Sequence, residues 1–436
     1  MRRTTVMMAA TMVMLAAPAR ADAPATDTHA TIAAAQKTIR DHYVLPAVAI
    51  ALEQALARSE AAGRYRGLAG EELATRVNAD LEAVAHDQHL SLRYDPKLST
   101  QLGTDAHDDD GPAPAAIARA YDRQNAGVRE LRVLPGNIRY MAYEAFVWDT
   151  PGSAQAVATA MEFLRGGDAY IIDIRRNGGG SPDAVAAIAS YFVPEGTPLM
   201  RFEMRGQPPL ETQAPKAPFS LASKPLYVLT SRNTASAAEE FSTHVKALGF
   251  GTLIGANTLG AGFRNNTVGL PGGYVLSVSV GRAVSRKTGS DWERIGVAPD
   301  IATPVDTALL RAQQEAMARI AAAAPADEHD EDEAILAYYR ALATPVTSAH
   351  AVEAYAGAYG DRTVSVVAGD LMIARASRLP SRLVPVGPDS FAPETDPAAR
   401  FNFAIGASGR AESLRIVQRG GAASVVPRDA ATITKP

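Results

Sequence analysis

Cysteine is absent from all 436 residues. The chain therefore has no thiolate to offer a metal, and it carries no stray thiol that an oxidising compartment would turn into a liability. No run of basic residues occurs and the net charge is −4, so the electrostatic footprint of a nucleic-acid or anionic-membrane partner is missing. Neither G-x-x-x-x-G-K-[ST] nor G-x-G-x-x-G is present, which sets phosphate binding aside, and no H-E-x-x-H supplies a metal helix. No internal repeat of fixed period appears. No metal or organic cofactor is implied. The apolar stretch of the first residues, MRRTTVMMAATMVMLAAPARADA, is too short to span a bilayer securely. Its basic start and the small residues at Ala19, Ala21 and Ala23 read as a secretory signal peptide over residues 1–23, cut near Ala21 or Ala23. That reading predicts a periplasmic or secreted protein with no stable membrane insertion after cleavage.

What is present is ample core material, 47% hydrophobic residues, enough for two or three globular domains. Apolar residues recur at helical spacing in IAAAQKTIRDHYVL, VAIALEQALARSEA and LATRVNADLEAVA, which predicts a helical N-terminal domain over 24–103. The acidic, Gly/Pro-bearing TDAHDDDGPAPAA predicts a linker over 104–118. Strands and helices then alternate: IRYMAYEAF, AQAVATAMEFLRG, AYIIDI, DAVAAIASYF, PLYVLT, ASAAEEFSTHVKAL, TLIG and YVLSVSVGRAV. The class is α/β, a layered core over 119–325 whose near-continuously apolar strands are covered on both faces. ALLRAQQEAMARIAAAA closes it as a helix, and PADEHDEDEA reads as an acidic break. Short alternating runs beyond it, such as TVSVVAGDLMIARA and SRLVPVGPDSFAPE, predict a small β domain over 345–436, a curved sheet or partial barrel.

Three stretches could carry chemistry. In TASAAEEF a strand end meets a helix start, placing Ser236 in a first turn whose free N–H groups favour a developing oxyanion. Ser236 and Glu239 also have capping-box spacing, and on spacing alone the cap is the commoner meaning. In AYIIDIRRNGGGSP a buried strand runs into Gly178, Gly179 and Gly180, with Ser181 and Pro182 suited to cap and open a helix. Such glycines let backbone approach closely and present N–H groups, as an oxyanion hole or as a plain turn. In HDQHLSLRY, His86 or His89 could act as a general base; a metal site would need a third ligand, and His86 reads as a surface residue. His42, His107, His244, His329 and His350 have no supporting context.

Taken together, strand-NGGGS, TSRNTASAAEEF and WERIGVAPDI resemble the tail-specific, C-terminal-processing serine peptidase family in order and spacing, over roughly residues 30–305. The resemblance implies that Ser236 is the nucleophile, and it implies a crotonase-like (ClpP-type) βαβ spiral core with the helical domain supplying the base. In the serine–lysine branch a lysine follows in T-F-G-K-G; here NTLGAG puts Ala261 at that position, which removes the dyad unless Lys246 or Lys287 reaches in. The other branch, that of the tricorn core and the retinoid-binding protein of the retina, has a D-x-H-L-like element. DQHL matches it and nominates His89 as base, while Glu293 of WERIGVAPDI stands where that branch places a glutamate. The implied catalytic set is Ser236, His89 and Glu293, with the oxyanion held by the N–H of Ala237 and of Gly178 or Gly179. Gln88 and Ser91 flank the histidine without matching the assisting hydroxyl residue of that branch.

The segment between His89 and the glycine turn is too short for an inserted PDZ-like module, so substrate recognition through one does not carry over. The β-rich tail resembles the lipocalin-like appendages of secreted hydrolases. Peptides or unfolded chains are the implied partners, and ring-like and dimeric relatives make a homo-oligomer an expectation. Two alternatives stay open: a non-catalytic carrier of an apolar ligand on the same fold, and an esterase-type or lactam hydrolase using the same groups. No G-x-S-x-G elbow surrounds Ser236, which disfavours an α/β-hydrolase.

Overall fold

The computed structural model describes residues 28–102, 107–108, 115–148, 150–376 and 378–430. The expected signal segment lies outside them, as does most of the acidic linker. Within the linker, His107–Asp108 pairs with Asn266 and Thr267 at a sheet edge, and a helix runs over Ala115–Arg123.

The centre of the molecule is a six-stranded sheet whose strands lie side by side in chain order: Val128–Leu134, Ile138–Tyr143, Ala169–Asp173, Leu226–Thr230, Thr252–Gly255 and Ile301–Ala302. The first two form an antiparallel hairpin and every later pairing is parallel. Helices Ser153–Arg165, Pro182–Ala189 and Ala237–Leu248 lie on the crossovers between the parallel strands. AYIID and LYVLT are buried almost throughout, as doubly covered parallel strands require. The carboxyl ends of these strands carry the Asn177–Gly180 turn and the Ser231–Ser236 turn, which is why the two turns meet.

A second, wholly antiparallel sheet is built on Tyr274–Ser285, flanked by Phe263–Leu270, Pro198–Met204, Leu210–Gln213 and Ser91–Tyr94. The helices Thr28–His42, Pro46–Ala61 and Gly70–Ala85 pack on this sheet. Ile32, Ile39, Leu52, Leu56, Val77 and Leu81 share one buried cluster with Val268, Leu276, Val278 and Val280. The helical segment and the strands after Ser236 are therefore one packed unit, and the DQHL stretch is carried to the edge of the site.

The acidic PADEHDEDEA stretch, which reads as a break, is the beginning of a helix, His329–Ala343. Asp330, Glu331 and Asp332 occupy its first turn, where negative charge favours the helix, and the following apolar residues pack on Ala308–Ala323. Beyond it, eight antiparallel strands from Gly357–Tyr359 to Ala423–Pro427 form a meander around Tyr355, Tyr359, Phe391 and Phe403. This sheet rests on the helix pair through Val384, Ala392 and Ala398. The half-buried Arg400 donates to the carbonyls of Pro397 and Ala399 and to that of Ala334 in the helix. Among the described residues no helix is long and apolar enough to cross a membrane.

Candidate active site

Ser236 stands between strand Leu226–Thr230 and helix Ala237–Leu248 with φ 54° and ψ −120°. A non-glycine residue in that region costs about 1–3 kcal/mol and persists only where its surroundings over-determine it. They do so here. Ser231 Oγ donates to the Arg175 carbonyl at 2.6 Å, Thr234 Oγ1 to the Ile174 carbonyl at 2.9 Å, and the Ala235 N–H to the Asn177 carbonyl at 3.0 Å. The serine turn is thereby lashed to the glycine turn.

The capping box read from the sequence is present, with the Glu239 carboxylate accepting the Ser236 N–H at 2.9 Å. Glu239 does more than cap. It is fully buried and also accepts from Thr258 Oγ1 at 2.6 Å, the Gly260 N–H at 2.7 Å and the Ala261 N–H at 2.8 Å. Burial raises its pKa, and these four donors oppose the rise.

Asn177 organises the glycine turn from a fully buried position. Its Nδ2 donates to the Tyr143 carbonyl at 3.0 Å, and its Oδ1 accepts the Gly179 N–H at 2.9 Å. Gly179, at φ +113°, lies against the nucleophile: a Cβ there would sit 2.8 Å from Ser236 Cβ. Ser181 caps the next helix through the Asp183 N–H, with Pro182 in the first turn, as the sequence predicts. Of the three N–H groups nominated for an oxyanion, that of Gly179 is spent on Asn177. Those of Gly178 and Ala237 have no acceptor among the described residues.

Glu293 is reached through the same loop that serves Glu239. Its Oε2 accepts the Gly262 N–H at 2.6 Å and the Phe263 N–H at 3.2 Å, next along from the two amides that Glu239 binds. Its Oε1 is buried and has no hydrogen-bond partner among the described residues. Burial first, then the neighbouring Asp87 charge, pushes the Glu293 pKa up to about 8 against those amides and Arg294. The Ala261 carbonyl accepts the Trp292 indole N–H at 3.1 Å, and the Arg294 N–H bonds the Gly260 carbonyl at 2.8 Å, so the two strands of the loop hold each other. The Arg294 guanidinium donates to the Ala85 carbonyl and ties this loop to the helical segment.

His89 follows a left-handed turn at His86, which closes helix Gly70–Ala85 and is itself exposed, as expected. The His89 N–H donates to Asp87 Oδ1 at 2.8 Å. Its Nδ1 is buried without a hydrogen-bond partner among the described residues; burial lowers the imidazole pKa while the Asp87 charge opposes this. Among the described residues the His89 ring makes no hydrogen bond to the Ser236 hydroxyl and no ion pair with Glu293. The structure brings Ser236, Gly178, Gly179 and Ala237 together, reaches Glu293 by one loop, and sets His89 beside Asp87, whose charge also acts on Glu293. Lys246 donates to the Ala298 carbonyl and pairs with Asp300 at 3.2 Å, while Lys287 is exposed, so neither reaches in for the missing dyad lysine.

Sequence reasoning passed over Asp87 and read Glu239 only as a cap. Asp87 stands inside the DQHL element, and only its 3% exposure distinguishes it from an ordinary turn aspartate. His244, which lacked sequence context, is buried 3.5 Å from Glu240 on the nucleophile's helix.

Residues 137–303 match Peptidase family S41, and residues 25–126 match the N-terminal domain of Peptidase S41 in eukaryotic IRBP. A chloroplastic C-terminal processing peptidase of Tetradesmus obliquus is 29% identical over 208 residues, 48% of this chain and 41% of that protein. A carboxyl-terminal-processing protease of Synechocystis sp. is 31% identical over 146 residues, 33% of each chain. The chain thus spans well under half the length of these relatives. Among solved structures, a photosystem II D1 C-terminal processing protease aligns with TM-score 0.42 and 19% identity, over 65% of this chain and 94% of that one. From its helical N-terminal segment to the loop that carries Glu293, this chain belongs to Peptidase family S41.

Proposed function

We propose that the protein is an exported serine peptidase in which Ser236 attacks the scissile carbonyl, His89 takes and returns the proton, and Glu293 belongs to the acidic side that orients the imidazole. A serine hydroxyl becomes a competent nucleophile when a base removes its proton, and the base needs an anionic partner to stabilise the imidazolium. The observation that carries this reading is the strained Ser236 turn at a helix start, locked by Glu239 and closed over by Gly179, with the unspent N–H groups of Gly178 and Ala237 beside it. Two donors aimed at the developing oxyanion are the usual largest contribution in acyl transfer, each worth on the order of 10²–10³ in turnover. Closing the remaining distance between His89 and Ser236 falls to substrate binding, since catalytic hydrogen bonds often tighten only in the complex.

The in-order strand arrangement of the central sheet supports the crotonase-like spiral, and the basic, briefly apolar first residues support export to a periplasm or beyond. Peptides and unfolded chains are the proposed substrates, and a homo-oligomer is the proposed assembly. Labelling with a fluorophosphonate probe tests the reading: the wild type labels, Ser236→Ala does not, and His89→Ala nearly fails. Strong labelling of the serine variant overturns the assignment, while absent labelling with tight retinoid binding supports a carrier.

A further inference from the structure

Two arginines stand in a row just before the glycine turn, and they are used differently. Arg176 is exposed and pairs with Glu144 at 2.6 Å. Arg175 turns back onto Asp173 at the end of its own strand, where its Nε and Nη2 donate to the two carboxylate oxygens at 2.9 Å and 2.6 Å. The pair is largely shielded from water, with 18% of the arginine side chain and 10% of the aspartate side chain exposed. The Arg175 N–H and the Tyr140 hydroxyl also donate to Asp173, at 3.1 Å and 2.8 Å, and the third guanidinium nitrogen donates to the Val305 carbonyl. We infer, on the roles proposed for Ser236 and Gly178, that Arg175 is a positioning residue for acyl transfer. Its guanidinium, forked on Asp173 and tied to Val305, fixes the stretch of chain that presents the Gly178 N–H and holds the Ser236 turn against it.

The main chain of the same stretch makes the connection. The Arg175 carbonyl accepts Ser231 Oγ at 2.6 Å, and the Ile174 carbonyl accepts Thr234 Oγ1 at 2.9 Å and the Asn177 N–H at 3.1 Å. The Asn177 carbonyl then accepts the N–H of Ala235, one residue before the nucleophile. Between strand Ala169–Asp173 and helix Pro182–Ala189 the chain belongs to no strand or helix, apart from the bridge of Gly180 to Phe146. Its shape therefore depends on individual ties rather than on a repeating ladder of backbone bonds.

A planar fork on a carboxylate fixes orientation as well as distance, which a lysine ammonium cannot do. The bond to Val305 adds an anchor 130 residues further on, between the edge strand Ile301–Ala302 and helix Ala308–Ala323. Small displacements matter here, because an oxyanion donor acts only within hydrogen-bond reach of the developing charge, and about 1 Å of misplacement can cost about a hundredfold.

Arg175→Met removes the fork, and its limiting rate of fluorophosphonate labelling is expected to fall about a hundredfold, with the half-saturating probe concentration within about threefold of wild type. Arg175→Lys keeps the charge without the fork and is expected about tenfold below wild type. Arg176→Met, which removes an exposed charge at the next position, is expected to stay within about threefold. Equal losses in the two methionine variants, or an Arg175→Met loss confined to the half-saturating concentration, overturn the inference. An activity-free measurement stands beside these. Exchange of the Asn177, Gly179 and Ala235 amide hydrogens, all bonded within the paired turns, should quicken about tenfold in Arg175→Lys, while helix Ala237–Leu248 keeps its rates. Unchanged exchange in the turns, or a uniform rise through the whole protein, contradicts the inference. Quickening confined to the turns, together with a wild type that does not label, overturns the proposed peptidase and leaves the placement of the turns by Arg175 standing.

Discussion

The two halves of the site differ in how their polar atoms are satisfied. On the nucleophile side, the buried carboxylate of Glu239 has four donors and the buried amide of Asn177 both accepts and donates. On the base side, His89 Nδ1 and Glu293 Oε1 are buried and have no hydrogen-bond partner among the described residues. A fully bonded network is rigid and keeps its geometry without a ligand, whereas an incompletely bonded one responds to protons and to whatever fills it. The contrast assigns preorganisation to the serine turn and responsiveness to the histidine side, which fits a site that completes itself on the substrate.

The comparison breaks most severely if the serine side is disturbed. Glu239→Ala would leave the N–H groups of Ser236, Gly260 and Ala261 and the Thr258 hydroxyl without their acceptor, at a cost of about 4 kcal/mol by urea unfolding. Gly179→Ala would force a methyl to 2.8 Å from Ser236 Cβ at a φ unsuited to alanine. We expect about 2 kcal/mol of destabilisation, with fluorophosphonate labelling lost in the fraction that stays folded.

The histidine side should answer to pH instead. Glu293 is pushed up to about 8, so between its ordinary range and that value the unfolded chain releases a proton that the folded protein keeps. Stability should fall across that window as pH rises and level off above it. Glu293→Gln should therefore gain Tm relative to wild type between pH 5 and pH 8; a flat difference would contradict the buried neutral acid. The smallest effect is expected from Lys246→Ala, within about twofold of wild-type activity, since this lysine pairs with Asp300 on the surface.

The serine side was also the more legible in sequence. NGGGS and TSRNTASAAEEF are contiguous segments whose turn and cap chemistry is local, so spacing brings Ser236 and the glycines forward, and the family resemblance is what makes Ser236 a nucleophile and Ala237 an oxyanion donor. The Asn177 bond that removes the Gly179 N–H from use is equally local, but it depends on a side-chain orientation that no spacing specifies. On the histidine side, the helical segment that carries Tyr43, Asp87 and His89 reaches the Glu293 loop only because it packs on the Phe263–Ser285 hairpin, and long-range packing leaves no periodic trace. The helix His329–Ala343 was hidden for another reason: its acidic first turn has the composition of a linker, and its apolar face appears only after it.

The most direct measurement is a crystal structure of the fluorophosphonate adduct. It should show phosphorus on Ser236 Oγ, one phosphoryl oxygen within about 3 Å of the Ala237 and Gly178 N–H groups, and a His89 ring nitrogen within about 3.2 Å of the adduct. An adduct on another residue, or a His89 ring still apart from a Ser236 adduct whose phosphoryl oxygen points away from both amides, would contradict the account.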